Sequence, residues 1–277
     1  MARKLPAQGG MKRTTVLALF VTTVSYAATL SPETIKAWEQ YTEEKIALTK
    51  LSVEGAALLS DDGGDSWTRL RSGRILVAPA ASDIPKRVPS GLIHDWVATE
   101  FIPNATIPDV FAAIRDYDHY KDVYRPAVID SKLGSSANDG DHFSLRLMNK
   151  SAFVKSAVEG DYHTSYFRVN DHKWYSISES TRIQEIERCG GDGERRLPEG
   201  EGTGLIWRVR SITVLEERDG GVLMQLDAMV LSRDIPGTLR WFVDPIVRRV
   251  SKESLHLSLQ QTRDAVQSNL ARAVLTN

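Results

Sequence analysis

The chain has 277 residues, 42% of them hydrophobic, which is enough to bury the core of one large domain or two small ones. Its 35 basic residues nearly balance its 36 acidic residues, for a formal net charge of -1. This balance gives no electrostatic reason to expect nucleic acid or an anionic membrane surface as a partner. The single cysteine, Cys189, excludes an intrachain disulfide and a metal site made of cysteines alone.

Residues 1–28 have the pattern of a secretory signal peptide. The basic pair Lys12-Arg13 precedes an apolar run over residues 16–24, and small residues follow at 25–28. The apolar run is shorter than the roughly 20 residues that a membrane-spanning helix needs. We therefore expect cleavage at the end of this segment and a periplasmic or secreted protein; an uncleaved anchor is the alternative. Translation from either of the first two methionines fits the pattern.

Residues 29–90 are predicted to form a helix and a strand that pack on the main domain. Ser31-Pro32-Glu33 supplies an N-cap residue, a proline and an acidic residue, the pattern of a helix start. The apolar stripe that follows indicates that this helix packs on the body of the protein. The segment 61–65 is acidic and glycine-rich but lacks the ligand spacing of an EF-hand loop, so it is interpreted as a turn. A short strand is predicted from Trp67 to Val77.

Residues 91–273 are predicted to form the main domain, which opens with a strand and a helix. The strand covers residues 92–101, and a proline closes it. Helical spacing of apolar residues then predicts a helix from Ile107 to about Tyr124.

A series of strands and one long helix complete this domain. The predicted strands cover residues 127–133, 142–158, 162–170, 174–187, 205–216 and 222–231. The last two are joined by the hairpin turn Asp219-Gly220-Gly221. The final helix runs from about Ile235 to Ala273, with a second start predicted at Asp244-Pro245. Segregated strands and helices indicate an α+β fold, in which the last helix covers one face of a curved antiparallel sheet.

A resemblance to a known superfamily supports this fold. The segments Val110 to Tyr120 and Tyr124 to Val128 resemble the helix signature of the polyketide cyclase/dehydrase and coenzyme-Q-binding branch of START-like proteins. The segment Ile235 to Leu239 and the long helix after it match the same family. The resemblance covers residues 92–266 and implies a helix-grip fold, with a cavity between the sheet and the C-terminal helix. It does not identify a function, because the family mixes lipid carriers, ligand sensors and enzymes.

The last hairpin indicates which side chains line such a cavity. With Gly220 near the tip, Ser211 lies opposite Ala228, and Ile212 lies opposite Asp227. A half-buried sheet turns its apolar residues inward, and the small side chains of Ser211 and Ala228 leave room between larger neighbours. The residues expected to line the cavity are Trp207, Val209, Ser211, Met224, Leu226, Ala228 and Val230 of the sheet and Trp241, Phe242, Ile246 and Val250 of the helix.

Two charged residues lie within these apolar strands. On this register Arg210 and Asp227 share the outer face at a diagonal, which predicts a solvent-side ion pair worth at most about 1 kcal/mol. A slip of one residue in the register would turn both inward as a buried catalytic or ligand-orienting pair.

The sequence predicts no catalytic residue, metal site or cofactor. The six histidines are not spaced as a metal pair on one element, and the common hydrolase and phosphate-binding motifs are absent. His119 has carboxylates beside it, and we interpret it as a helix-end residue at the mouth of the cavity; a role in acid–base chemistry is the alternative.

Three functions are compatible with these features. The first is an exported carrier or sensor that encloses a lipid, quinone or similar apolar molecule and makes transient contact with a membrane. The second is a cyclase, dehydratase or hydrolase, which needs two polar groups converging in the cavity; His119, Tyr166 and Glu179 are the candidates. The third is a closed core that serves as an interaction module in the cell envelope. The oligomeric state is left open.

Overall fold

A computed structural model of the protein describes residues 30–55, 64–150, 155–235 and 237–276. The side chains at 149–150, 155–156, 237–244 and 276 lie outside this description, as do the predicted signal peptide and most of the predicted turn at 61–65.

The described residues form an α+β fold, as the sequence predicts. The helices are α1 (Pro32–Glu54), α2 (Asp65–Arg71), α3 (Ile107–Ile114), α4 (Tyr120–Val123) and α5 (Gly237–Thr276), with a 3₁₀ turn at Tyr117–His119. The strands are β1 (Leu76–Pro79), β2 (Lys86–Val88), β3 (Gly91–Pro103), β4 (Val128–Ala137), β5 (Gly140–Lys150), β6 (Lys155–Asn170), β7 (Lys173–Glu187), β8 (Arg195–Arg196), β9 (Arg208–Arg218) and β10 (Gly221–Arg233).

These strands make one antiparallel sheet in the order β1-β3-β10-β9-β7-β6-β5-β4, with β2 beside β3 and β8 beside β7. Strands β4 to β7 follow one another as a meander, and β10 returns to pair with β3 along its whole length. We name the two faces of the sheet after the helices that cover them: the α1 face and the α5 face.

The α1 face is covered by the N-terminal helix. Ser31 caps α1 by accepting a hydrogen bond from the Thr34 backbone N–H, which confirms the predicted helix start. Burial of an apolar face fixes the position of α1 on the sheet, because tertiary packing outweighs helix propensity. The packed cluster contains Trp38, Val53, Ile93, Trp207, Ile212, Val214, Met229 and Leu231.

The α5 face has two packed regions. One joins α3 and the C-terminal half of α5 to the sheet and contains Ile102, Ala105, Ile107, Val110, Ala113, Leu215, Val222, Met224 and Val266. The other is an aromatic cluster of Tyr117, Phe143 and Tyr162, against which Val209 packs.

Two elements predicted on either side of β3 differ from the structure. Residues 67–71 belong to helix α2, and only the end of the predicted strand is extended, in β1. Leu70 is fully buried against Phe101 and Leu223, and Trp67 packs edge-to-face on Phe101, so these apolar contacts position the short helix. The predicted helix from Ile107 is likewise interrupted after α3 and resumes as the 3₁₀ turn and α4.

The predicted break between the second and third strands of the meander is also misplaced. Gly160 lies inside β6 and pairs with Leu145, so the glycine does not mark a turn. A Cβ atom at Gly160 would lie 2.8 Å from the ring of Tyr162, which shows that the glycine makes space for that ring.

The C-terminal helix is continuous where a second start was predicted. Pro245 lies inside α5 and its side chain is exposed to solvent. A proline removes one backbone donor from the helix interior, but here the helix continues on both sides of it. None of the helices in the described ranges is long and apolar enough to cross a membrane.

Candidate functional site

The predicted register of the last hairpin is confirmed. Ser211 pairs with Ala228, and Ile212 pairs with Asp227. One face of β9 and β10 therefore carries a row of small and apolar side chains, on the same face as Leu215 and Met224, which pack with Val266 of α5. We name Ser211, Thr213, Leu226, Ala228 and Val230 the groove floor.

The groove floor is less buried than the opposite side of the same strands. Each of its five residues is only partly buried. By contrast, Ile212, Val214 and Met229 on the α1 face are at most 1% exposed. In the described part of the chain, the floor residues belong to neither packed region of the α5 face. The α1 helix thus covers the centre of its face of β9 and β10, whereas the centre of the α5 face of these strands stays accessible.

Helix α5 is packed tightly at one end only. In its C-terminal half, Leu259, Thr262 and Val266 are at most 2% exposed. In its N-terminal half, Ile246 and Val250, both predicted to line the cavity, are partly buried. A cleft of about 170 Å³ opens beside this half, lined by Ser82, Asp83, Ile84, Pro85, Arg87, Leu92 and Arg248. None of the five groove-floor residues lines this cleft, so it is a separate depression beside α5.

The other predicted lining residues lie in different surroundings. Met224 is 4% exposed and packs in the region under the C-terminal half of α5. Trp207 packs in the cluster beneath α1 rather than under α5. Trp241 and Phe242 lie in α5, but their side chains are outside the described part. A role of these residues in ligand binding stays a prediction.

Glu100 is a buried carboxyl group on the α5 face. It pairs with Met224 in the sheet and has no exposed surface, and neither of its carboxyl oxygens has a hydrogen-bond partner among the described residues. The nearest cation is Arg263 of α5, with Nη1 3.9 Å from Oε2. Burial raises the pKa of Glu100 to about 8, only partly opposed by the charge of Arg263. The group is therefore mostly protonated at neutral pH, and no local sequence pattern marks it as a buried carboxyl group.

The second polar feature of this face is a network of hydrogen-bonded side chains. Arg115 donates to both oxygens of Asp141, at 2.8 and 2.9 Å, and Ser136 and Tyr166 also donate to this carboxylate. The hydroxyls of Tyr117 and Tyr166 are 2.6 Å apart. Burial alone would raise the pKa of Asp141, but these hydrogen bonds outweigh it and hold the pKa below its usual range. The residues that bind Asp141 come from separate helices and strands, so no local sequence motif predicts this network.

A third polar cluster lies on the opposite face, between α1 and the sheet. Lys45 Nζ lies 3.2 Å from a carboxyl oxygen of both Asp95 and Asp227. The hydroxyl of Tyr41 donates to Asp95 at 2.6 Å. Burial, reinforced by the neighbouring Asp95, raises the pKa of Asp227. This cluster fastens the N-terminal helix to the sheet.

The prediction of a solvent-side pair between Arg210 and Asp227 is therefore wrong. Both residues lie on the face opposite the groove, as expected, but α1 covers that face. Asp227 is only 6% exposed and binds Lys45, whereas Arg210 binds Glu179 and donates to Thr42. The predicted register is correct, but this face is covered by α1 and is not open to solvent as predicted.

The three candidate catalytic groups are not brought together. Tyr166 lies in the network on the α5 face. Glu179 lies on the α1 face, paired with Arg210. The side chain of His119 is 65% exposed, and its Nδ1 lies 2.7 Å from Asp116, whose hydrogen bond raises the pKa of the imidazole. This arrangement provides no converging acid and base from these three residues.

The similarities to known proteins are structural only. No family model and no curated protein matches the sequence. A STAR-related lipid transfer protein from Xanthomonas axonopodis is similar, with a TM-score of 0.44 and 16% identity over 70% of this chain and 98% of that one. Human STARD10 has a TM-score of 0.42 and 8% identity over 78% and 84% of the two chains. The Zhui aromatase/cyclase from Streptomyces sp. R1128 has a TM-score of 0.40 and 10% identity over 64% and 96%.

These likenesses are distant, so the fold assignment depends on the order of the elements. Strand β3 leads into α3 and α4, and strands β4 to β10 follow along the chain. The last of them, β10, pairs with β3, and the long α5 covers one face of the sheet. The chain has a START-like helix-grip fold. Within this helix-grip, the groove floor occupies the centre of the face that the C-terminal helix covers, while α1 and α2 are additions before β3.

Proposed function

We propose that this helix-grip protein binds an apolar ligand, such as a lipid or a quinone, in the groove on the α5 face and acts as a carrier or sensor. The observation that carries the proposal is the groove floor. Its small and apolar side chains are partly accessible at the centre of a face whose two ends are packed. On the α1 face of the same strands, Ile212, Val214 and Met229 are buried. The partial accessibility is therefore specific to the α5 face.

The energetics of such binding are favourable without any catalytic group. Removal of apolar surface from water gains about 25 cal/mol per Å². About 400 Å² of buried ligand surface would therefore contribute roughly 10 kcal/mol before the cost of association is subtracted. This leaves useful affinity for a molecule with one acyl or prenyl chain.

The polar groups near the groove support binding more than catalysis. The carboxylate of Asp141 accepts hydrogen bonds from Arg115, Ser136 and Tyr166, so it is occupied within the protein. Glu100 is buried and lacks a hydrogen-bonded base beside it. A cyclase or hydrolase needs two such groups on one substrate, and the described residues do not supply that pair.

A groove-filling variant tests the proposal. Ala228→Phe adds an aromatic ring at the centre of the floor and should lower binding of an apolar fluorescent dye at least tenfold. Ala271→Phe, at an exposed position of α5, adds the same ring outside the groove and should leave dye binding unchanged. Equal binding by the two variants would contradict the proposal, provided that both unfold cooperatively.

We also propose that the protein is exported and meets its ligand in the cell envelope or outside the cell. The support is the basic, apolar and small-residue pattern of residues 1–28. Sequencing of the mature N-terminus should show cleavage near residue 28. A protein that retains residues 1–28 in the cytoplasmic fraction would overturn this part of the proposal.

A further inference from the structure

Two histidines that are distant in sequence meet on the surface of the sheet. His142 of β5 and His163 of β6 are direct partners in the antiparallel register. Their rings are stacked, with centroids 4.4 Å apart and planes at 23°. Because side chains alternate along a strand, both histidines lie on the face opposite Phe143 and Tyr162, away from the groove.

A carboxylate joins this pair from the neighbouring turn. Asp139 lies in the turn between β4 and β5, and its Oδ2 is 3.7 Å from Nε2 of His142. Nε2 of His163 lies 3.1 Å from the main-chain oxygen of the same aspartate. One ligand atom from each of the three side chains lies within 4.8 Å of the other two.

From this geometry we propose that Asp139, His142 and His163 bind a divalent transition-metal ion of the Zn²⁺ type. Two imidazoles and one carboxylate are a donor set that such ions prefer, at metal–ligand distances of about 2.0–2.2 Å. Ligand atoms around a tetrahedral ion at those distances are about 3.3–3.6 Å apart. Because an ion lies in the plane of each imidazole that it binds, the stacked rings must turn about their side-chain bonds to close the site. Water completes the coordination, because the side chains of Asp139 and His142 are 67% and 45% exposed.

The surrounding backbone holds two of the ligands in place. A cross-strand pair on a sheet has Cβ atoms about 4.5–5.5 Å apart, which fixes the separation of the two imidazoles before any metal binds. The hydroxyl of Ser165 donates to the main-chain oxygen of Asp139 at 3.0 Å and ties the turn to β6. The bound ion would thus join β5, β6 and the β4–β5 turn, one strand in from the edge strand β4.

Titration of the metal-free full-length chain with Zn²⁺ alone tests this site by calorimetry. We expect one ion per chain, with His142→Ala and His163→Ala each weakening binding at least tenfold. Asp139→Asn, which keeps a residue that turns favour, should also weaken it. His172→Ala is the matched control, because His172 is an exposed histidine of the β6–β7 turn and should bind as the wild type does.

A second measurement identifies the ligands directly. Addition of Co²⁺ should give a visible absorption band that the His142→Ala/His163→Ala double variant lacks. An absence of saturable Zn²⁺ binding by the wild-type chain, or full retention of binding by the folded double variant, would overturn the proposal. Neither outcome bears on the apolar groove, which lies on the other face of the sheet.

Discussion

At the scale of single residues, Glu100 is a carboxyl group buried in an apolar environment. It is fully buried, its oxygens lack hydrogen-bond partners in the part of the chain that the structure describes, and burial raises its pKa to about 8. Folding therefore favours the protonated form, while the unfolded chain ionises near the usual value for glutamate. Between those two pKa values the unfolded state binds fewer protons, so this residue lowers stability as the pH rises from about 4.5 to about 8.

The variant Glu100→Gln should remove this pH dependence. Compared with the wild type, its free energy of unfolding should be similar near pH 4.5 and higher by roughly 2–4 kcal/mol above pH 8. Chemical denaturation at the two pH values measures the difference. Glu43→Gln, at an exposed position of α1, is the control and should give the same small effect at both pH values. A Glu100→Gln effect that does not change with pH would contradict the assigned pKa.

At the scale of secondary-structure elements, local sequence patterns predicted which strands pair with each other. They did not predict which helix covers each face of the sheet. Turn chemistry at Gly220 fixes the β9–β10 register, so the pairing of Ser211 with Ala228 was predictable. The position of α1 depends on long-range burial of Trp38 against the sheet, and no spacing in the sequence specifies that partner. For the same reason, the sequence predicted that Asp227 lies on a solvent-exposed face of the sheet. The predicted break between residues 158 and 162 was wrong because β6 is continuous through Gly160, where the glycine leaves space for the Tyr162 ring.

The attachment of α1 predicts a measurable role for Lys45. This lysine compensates two buried carboxyl groups, Asp95 and Asp227, and their charges outweigh burial and raise its pKa. Because Lys45 is 22% exposed at its side chain, Lys45→Met should destabilise the protein by about 1–3 kcal/mol rather than by the larger cost of a fully buried pair.

Thermal or denaturant unfolding measures this effect at neutral pH. Lys36→Met replaces an exposed lysine on the same helix and should change the free energy of unfolding by less than about 0.5 kcal/mol. If Lys45→Met were as stable as this control, α1 would not depend on the buried cluster.

At the scale of the whole molecule, the sheet is covered on both faces but in different ways. The sequence was sufficient to predict an antiparallel sheet that is covered by a long final helix in a START-like helix-grip fold. It did not reveal that residues 32–54 cover the outer face, nor where the polar residues Glu100 and Asp141 lie, because those positions depend on contacts between distant elements. The asymmetry between a covered α1 face and an accessible groove floor is the feature that the proposed function depends on.

Native mass spectrometry of the chain purified without detergent, followed by analysis of its organic extract, tests this asymmetry most directly. We predict that an apolar molecule co-purifies with the wild-type chain at close to one per chain and is lost from Ala228→Phe but kept by Ala271→Phe. Recovery of the bare chain in all three preparations, with no apolar molecule in the extracts and no uptake of added lipid or quinone, would contradict the account.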